Sequence, residues 1–130
     1  MFRSIGAIAH GVIDYAMVII FAIGPTVAGF HGKQATICYA LAVVHFLLTL
    51  VTRFPLGVLK TIPFPLHGGI EIVVALLLLV LPWLANFSAG VHSRNFFVLI
   101  GLLIAIIFAL TDYRGRRSAG RATEAGEASH

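Results

Sequence analysis

The stretch AIAHGVIDYAMVIIF (residues 7–21) decides the fold class of this chain, and PLHGGIEIVVALLLLV (residues 65–80) repeats its pattern. Each stretch is long and apolar enough to lie in lipid, yet each contains a histidine followed four residues later by a carboxylate. The two pairs are His10 with Asp14 and His67 with Glu71. Ionisable groups are costly inside a membrane, so their presence there indicates a functional or structural site.

The overall composition is that of a membrane protein. Of the 130 residues, 59% are hydrophobic and only 11% are charged, and the mean hydropathy is +1.00. A soluble domain has about a quarter of its residues charged, so this chain could not cover a water-facing surface. The single cysteine, Cys38, excludes a disulfide within the chain. We therefore expect an integral membrane protein embedded in a lipid bilayer.

Four apolar segments have the length of a membrane-spanning helix. They cover residues 5–30, 35–53, 67–87 and 95–113. The connections HGKQ (31–34) and SAGVHSR (88–94) are short, which predicts two antiparallel helical hairpins. The predicted fold is all-α, with a four-helix transmembrane domain within residues 1–113.

The remaining segments differ in composition from the helices. Residues 54–66 contain three prolines, which are incompatible with one continuous helix, and we expect this connection to lie at the membrane interface. The tail, residues 114–130, is small and polar, which predicts disorder.

Lys and Arg favour the cytoplasmic side of a membrane. Seven of them fall on the side of the chain termini and two on the other: Arg3, Arg53, Lys60, Arg114, Arg116, Arg117 and Arg121 against Lys33 and Arg94. Both termini and the tail are therefore predicted to be cytoplasmic.

The chain also contains an internal repeat. A shift of 57 residues places His10 on His67, Asp14 on Glu71 and Pro25 on Pro82. The ending VTRF (51–54) of the second helix echoes LTDY (110–113) of the fourth. We predict two tandem hairpin repeats, residues 5–53 and 67–113, related in parallel by an axis along the membrane normal.

The stretch VLPWLANF (residues 80–87), followed by the apolar helix NFFVLIGLLIAIIFAL, resembles the SPW-repeat family of small bacterial membrane proteins. The likeness covers mainly the second half, and Leu81 replaces the serine of the motif. The resemblance implies paired membrane helices in a bacterial inner membrane. It implies no activity.

The ionisable residues of the helices are predicted to converge. Residues four apart on a helix share a face, and the repeat places the two His–carboxylate pairs at one depth. His45 lies eight residues before Arg53, about 12 Å from the cytoplasmic end of its helix, at a comparable depth. The predicted metal-ligating residues of this cytoplasmic-half cluster are His10, Asp14, His45, His67 and Glu71.

Three interpretations of the cluster remain open at this stage. Imidazole and carboxylate ligands suit a transition metal, with the carboxylates either as ligands or as groups that orient the imidazoles. In a haem variant of this interpretation, His10 and His67 would be the axial ligands. The second interpretation is a structural polar network. The third is transport of protons or a small solute, which through four short helices would require a homo-oligomer or a larger membrane complex.

Other function classes are not favoured. The sequence has no nucleophile elbow, phosphate-binding loop or redox dithiol, so we do not expect an enzyme of those types. The net charge of +4 comes from residues near helix ends and in the tail. We therefore expect no nucleic-acid partner.

Overall fold

The computed structural model describes residues 4–113, which form four α-helices and one short pair of parallel strands. The helices are α1 (Ala7–Ala28), α2 (Lys33–Leu50), α3 (Phe64–Leu84) and α4 (Val91–Leu110). The strands are β1 (Thr52–Arg53) and β2 (Ile62–Pro63). The predicted disordered tail, residues 114–130, lies outside the described residues.

All four helices are long and apolar enough to cross a membrane. The predicted helical class and the number of spanning-length helices in residues 4–113 are thus confirmed. Helix α1 packs mainly against α2, and α3 against α4. Large apolar side chains such as Ile8 and Leu99, which are 62% and 64% exposed, cover the outward faces.

Several helix boundaries differ from the prediction for identifiable reasons. Helix α3 begins at Phe64 rather than at residue 67, because a proline such as Pro65 is tolerated in the first helical turn. Helix α2 ends at Leu50 rather than at residue 53, because the next residues leave the helix to form β1. Helix α4 begins at Val91, so the residues expected in a loop up to position 94 are helical.

Short parallel pairings tie each hairpin to the other. Strand β1, which follows α2, pairs with β2, which precedes α3, and Thr52 lies opposite Ile62. In the same way Ile5, before α1, forms a parallel bridge with Thr111, after α4. In both cases a residue that precedes the first helix of one hairpin pairs with a residue that follows the second helix of the other hairpin.

The far ends of α1 and α3 are also built alike. The backbone N–H of Phe30 donates to the carbonyl of Pro25 at 2.9 Å, and that of Phe87 donates to the carbonyl of Pro82 at 2.8 Å. Each turn contains one residue in the left-handed region, Gly29 with φ 77° and Asn86 with φ 58°. This conformation is a common way to end a helix.

Three aromatic rings close the opposite end of the bundle. Phe54, Phe64 and Tyr113 form a buried cluster, here called the aromatic cap. Phe54 and Phe64 belong to the connection that is expected at the membrane interface, and within the bundle they are only 5% and 7% exposed. The sequence could not show this, because their burial depends on Tyr113, which lies beyond the end of α4.

Two glycines allow the cap rings to approach the helices. A Cβ atom at Gly11 would overlap the Phe54 ring, and one at Gly68 would lie 2.6 Å from the Tyr113 ring. The neighbouring Gly69 has open space at the same point. The spacing of cap and helices therefore depends on Gly11 and Gly68.

We predict that Gly68→Ala lowers the thermal stability of the protein in detergent, because the added methyl group must displace the Tyr113 ring. Overpacking of this kind costs about 1–3 kcal/mol. The matched control is Gly69→Ala, which meets no atom and should leave the melting temperature unchanged or slightly higher. Equal melting temperatures for the two variants would contradict the packing described for the cap.

Candidate metal centre

Helices α1 and α3 carry equivalent His–carboxylate pairs at the same distance from the start of each helix. His10 lies three residues after the start of α1 and His67 three residues after the start of α3, and each has its carboxylate one turn further on. Both histidines have no exposed surface, and Asp14 and Glu71 are each 3% exposed. The pairs therefore face each other inside the bundle, one turn from the aromatic cap.

Each imidazole contacts both carboxylates through Nε2. His10 Nε2 lies 3.2 Å from Asp14 Oδ1 and 3.0 Å from Glu71 Oε2. His67 Nε2 lies 2.9 Å from Asp14 Oδ2 and 2.9 Å from Glu71 Oε1. One ligand atom from each of the four residues falls within 4.8 Å of all the others. The two helices thus present two nitrogens and two carboxylates to a single point.

Two threonines fix the other nitrogen of each ring. His10 Nδ1 lies 2.8 Å from Thr111 Oγ1, and His67 Nδ1 lies 2.7 Å from Thr52 Oγ1. Each threonine is held by its own helix, since Thr111 Oγ1 donates to the Ile107 carbonyl and Thr52 Oγ1 to the Leu48 carbonyl, both at 2.6 Å.

This arrangement sets the proton positions on both rings. A hydroxyl has one proton to donate, and each threonine uses it on a backbone carbonyl. Each threonine oxygen must therefore accept a hydrogen bond from the histidine Nδ1–H. In a neutral imidazole Nε2 then carries a lone pair, and that lone pair faces the carboxylates.

A lone pair directed at a carboxylate oxygen at about 3 Å is repulsive unless a cation lies between them. Either a proton, carried by Nε2 or by the carboxyl group, or a metal ion can occupy that position. Three buried polar atoms of the centre lack a hydrogen bond among the described residues: His10 Nε2, Asp14 Oδ2 and His45 Nε2. Each of these atoms nevertheless lies within 3.5 Å of an oppositely polarised atom of the cluster.

His45 reaches the edge of the centre from α2. Its Nε2 lies 3.5 Å from Asp14 Oδ1 and 3.8 Å from Glu71 Oε1. These distances are longer than those of the other two histidines, and His45 is not in the four-residue ligand group. The structure thus brings together all five residues predicted from the sequence, four as one ligand set and His45 beside it. Asp112 is also buried but is not in the ligand group.

The aromatic cap closes the centre at the end of the bundle. The His10 ring lies 5.2 Å from the Phe64 ring and 5.3 Å from the Tyr113 ring, centroid to centroid. Tyr113 also donates a hydrogen bond to Glu71 Oε2 at 3.3 Å. Burial and the nearby Glu71 charge raise the pKa of Tyr113 above its usual range, so Tyr113 stays a neutral donor.

The geometry favours a single ion over a haem. One ligand atom from each of the four residues lies within 4.8 Å of the other three, so the four side chains surround a space the size of one ion. The His10 and His67 rings meet edge to face with their centroids 5.5 Å apart, which leaves no space for a porphyrin plane between them. The cavity beside the cluster measures about 30 Å³, far less than a porphyrin requires.

Sequence analysis did not identify Thr52 and Thr111 as site residues. The available signals were the match between VTRF and LTDY, which places the two threonines at equivalent positions, and the position of Thr52 on the same polar face of the second predicted helix as His45 and Thr49. Their role depends on contacts between hairpins, because each threonine bonds a histidine of the other hairpin.

Comparisons with known proteins assign neither a family nor a function to this chain. No protein-family model matches the chain, and neither curated proteins nor solved structures gave a match.

We predict that Thr52→Val destabilises the protein and removes the His67 Nδ1–H hydrogen bond. A buried donor left without a partner costs about 1–3 kcal/mol. The measurements are thermal unfolding in detergent and the ¹⁵N chemical shifts of the His67 ring. Thr49→Val is the matched control, because Thr49 is equally buried but its hydroxyl donates only to the His45 carbonyl of its own helix. Equal effects on His67 would contradict the assigned tautomer.

Proposed function

We propose that this protein is an integral membrane protein that binds one divalent metal ion through His10, Asp14, His67 and Glu71. The observation that carries the proposal is the orientation of the two imidazoles. Their Nδ1 atoms are held by threonines, and their Nε2 atoms converge on two buried carboxylates. Metal-binding histidines characteristically donate their second ring N–H to such a neighbour, which orients the ring.

Charge balance supports a divalent ion. Two ionised carboxylates buried in an apolar bundle are strongly unfavourable without compensation. Metal-bound histidines are neutral and metal-bound carboxylates are ionised. One divalent cation with Asp14 and Glu71 therefore gives a centre with no net charge.

The ligand types limit the choice of metal. Two imidazoles and two carboxylates suit Zn, Fe, Mn or Cu. The thiol of Cys38 is not part of the ligand group and lies 3.1 Å from the Phe21 carbonyl, to which it donates. A metal that requires sulfur ligands is therefore disfavoured.

The proposal includes insertion of the four helices in a membrane and a tandem repeat of two helical hairpins. Exposed apolar side chains on every helix, such as Val27, Val43, Val73 and Leu99, suit contact with lipid rather than water. Each half contributes one histidine, one carboxylate and one threonine at matched positions, as expected of a tandem duplication. The distribution of Lys and Arg supports cytoplasmic termini, with the metal centre in the cytoplasmic half. The SPW-repeat resemblance agrees with this architecture.

We predict that purified protein holds one equivalent of metal and that His67→Ala loses it, because two carboxylates and one histidine leave the centre a ligand short. Elemental analysis of the detergent-purified protein, before and after metal supplementation, measures this. The control is His92→Ala, since His92 is exposed in the first turn of α4 and lies outside the ligand group.

The structural-network and transport interpretations of the cluster predict different results. A structural network predicts metal-free wild-type protein whose melting temperature falls when Asp14 or Glu71 is truncated. Transport predicts flux in liposomes that is lost in the same variants while folding persists. Retention of metal by both His67→Ala and His92→Ala would show that the assigned ligands are wrong.

A further inference from the structure

The loop between β1 and β2, residues 54–61 and here called the connecting loop, exposes two adjacent apolar side chains. Val58 and Leu59 are 69% and 67% exposed, as much as outward-facing side chains of the helices such as Leu99. The connecting loop also carries Phe54 of the aromatic cap, so it lies at that end of the bundle. Val58 and Leu59 therefore form an apolar contact surface outside the bundle, where α2 ends and α3 begins.

Backbone hydrogen bonds hold the connecting loop against the end of α2. The Leu50 carbonyl accepts hydrogen bonds from the backbone N–H groups of Val58 and Leu59, at 2.7 and 2.9 Å. The Val51 carbonyl accepts one from the N–H of Thr61 at 2.7 Å. Carbonyls at the end of a helix have no partner within the helix, and here the connecting loop supplies it. The outward position of the apolar pair is thus fixed by the fold.

Two cations flank the apolar pair. Arg53 and Lys60 are both exposed, and Arg53 Nε donates a hydrogen bond to the Lys60 carbonyl at 3.1 Å. This bond holds the guanidinium beside Lys60. The salt bridges among residues 4–113 all join a histidine to Asp14 or Glu71. Within that part of the chain, no carboxylate forms a salt bridge with Arg53 or Lys60.

An exposed apolar pair beside two cations matches the chemistry of an anionic phospholipid. Arg binds phosphate oxygens through paired N–H groups, and Arg53 uses only its Nε on the Lys60 carbonyl. Apolar side chains next to Lys or Arg are typical of segments that lie in the membrane interface. A free phosphate ion would use the charges but would leave Val58 and Leu59 in water. The apolar pair therefore favours a lipid as the source of the phosphate.

We propose that the connecting loop binds the headgroup of an anionic phospholipid through Arg53 and Lys60, while Val58 and Leu59 contact its acyl chains. The predicted orientation places this end of the bundle at the cytoplasmic leaflet, whose anionic lipids attract Lys and Arg. The inference rests on the membrane insertion of the proposed function and is independent of the metal ion.

The test moves a fluorescent reporter into the connecting loop of the full-length protein. The chain has one tryptophan, Trp83, which lies in the last turn of α3 at the opposite end and is 54% exposed. Leu59→Trp combined with Trp83→Phe gives the loop reporter, and Val58→Trp combined with Trp83→Phe gives a second one. Each protein is reconstituted in vesicles of equal phosphatidylglycerol and phosphatidylcholine, and one lipid at a time carries bromine on its acyl chains. Bromine quenches tryptophan fluorescence on contact, so the quenching measures which lipid lies against the loop.

The loop reporter should favour phosphatidylglycerol over phosphatidylcholine at least fivefold, because each Lys or Arg near the surface contributes about fivefold. Adding Lys60→Gln should lower this preference about fivefold. Lys33→Gln is the matched control, since Lys33 is also exposed but begins α2 at the opposite end, and it should leave the preference unchanged. Sodium chloride should weaken the preference by screening, and inorganic phosphate at equal ionic strength should act no more strongly.

Four results overturn the inference. Equal quenching by the two lipids, or no quenching of either loop reporter, would show that the connecting loop selects no anionic lipid. Equal losses in the Lys60→Gln and Lys33→Gln variants would show that the preference does not arise at the loop. Competition by inorganic phosphate beyond that of chloride would identify a site for free phosphate. Wild-type Trp83 that neither brominated lipid quenches would instead refute membrane insertion, and with it the proposed function.

Discussion

Two carboxylates buried among apolar helices are the constraint on which the rest of this structure depends. Asp14 and Glu71 are almost inaccessible and lie about one turn from the end of the bundle. Their charge must be compensated locally, because the apolar surroundings provide no water to do so. The three histidines and Tyr113 contact the carboxylates. The two threonines orient His10 and His67. All six side chains are arranged around the need to compensate the carboxylate charge.

The connection between the hairpins supports the same centre. The pairing of Thr52 with Ile62 and that of Ile5 with Thr111 place each threonine beside a histidine of the other hairpin. The glycines Gly11 and Gly68 allow the aromatic cap to close over the cluster. Neither hairpin alone contains a complete centre, since His10 and His67 each take their Nδ1 partner from the other hairpin.

The sequence was sufficient for the parts of the structure that depend on local pattern. The length of the apolar segments predicted four helices, and the four-residue spacing of His10 with Asp14 and of His67 with Glu71 predicted that each pair shares a face. The strands β1 and β2 could not be predicted, because two-residue strands show no periodicity. Thr52 and Thr111 were missed because they lie just past the helix ends, inside segments predicted to remain helical. The depth of His45 followed from its sequence position, but its longer distance from the carboxylates depends on the rotation of α2.

The two hairpins differ at His45. The matched positions account for two histidines, two carboxylates and two threonines, whereas the third histidine, His45, has Ile104 as its counterpart when VTRF is aligned with LTDY. The cluster is covered by aromatic rings at the bundle end.

X-ray absorption spectroscopy of metal-loaded protein tests the central claim most directly. A centre formed by His10, Asp14, His67 and Glu71 predicts nitrogen and oxygen ligands about 2.0–2.2 Å from the ion if it is zinc, with the outer-shell scattering of two imidazoles. That outer-shell signal should fall by half in His67→Ala protein that is forced to take up metal. A shell of water oxygens without imidazole scattering, or scattering from sulfur, would contradict the proposed centre.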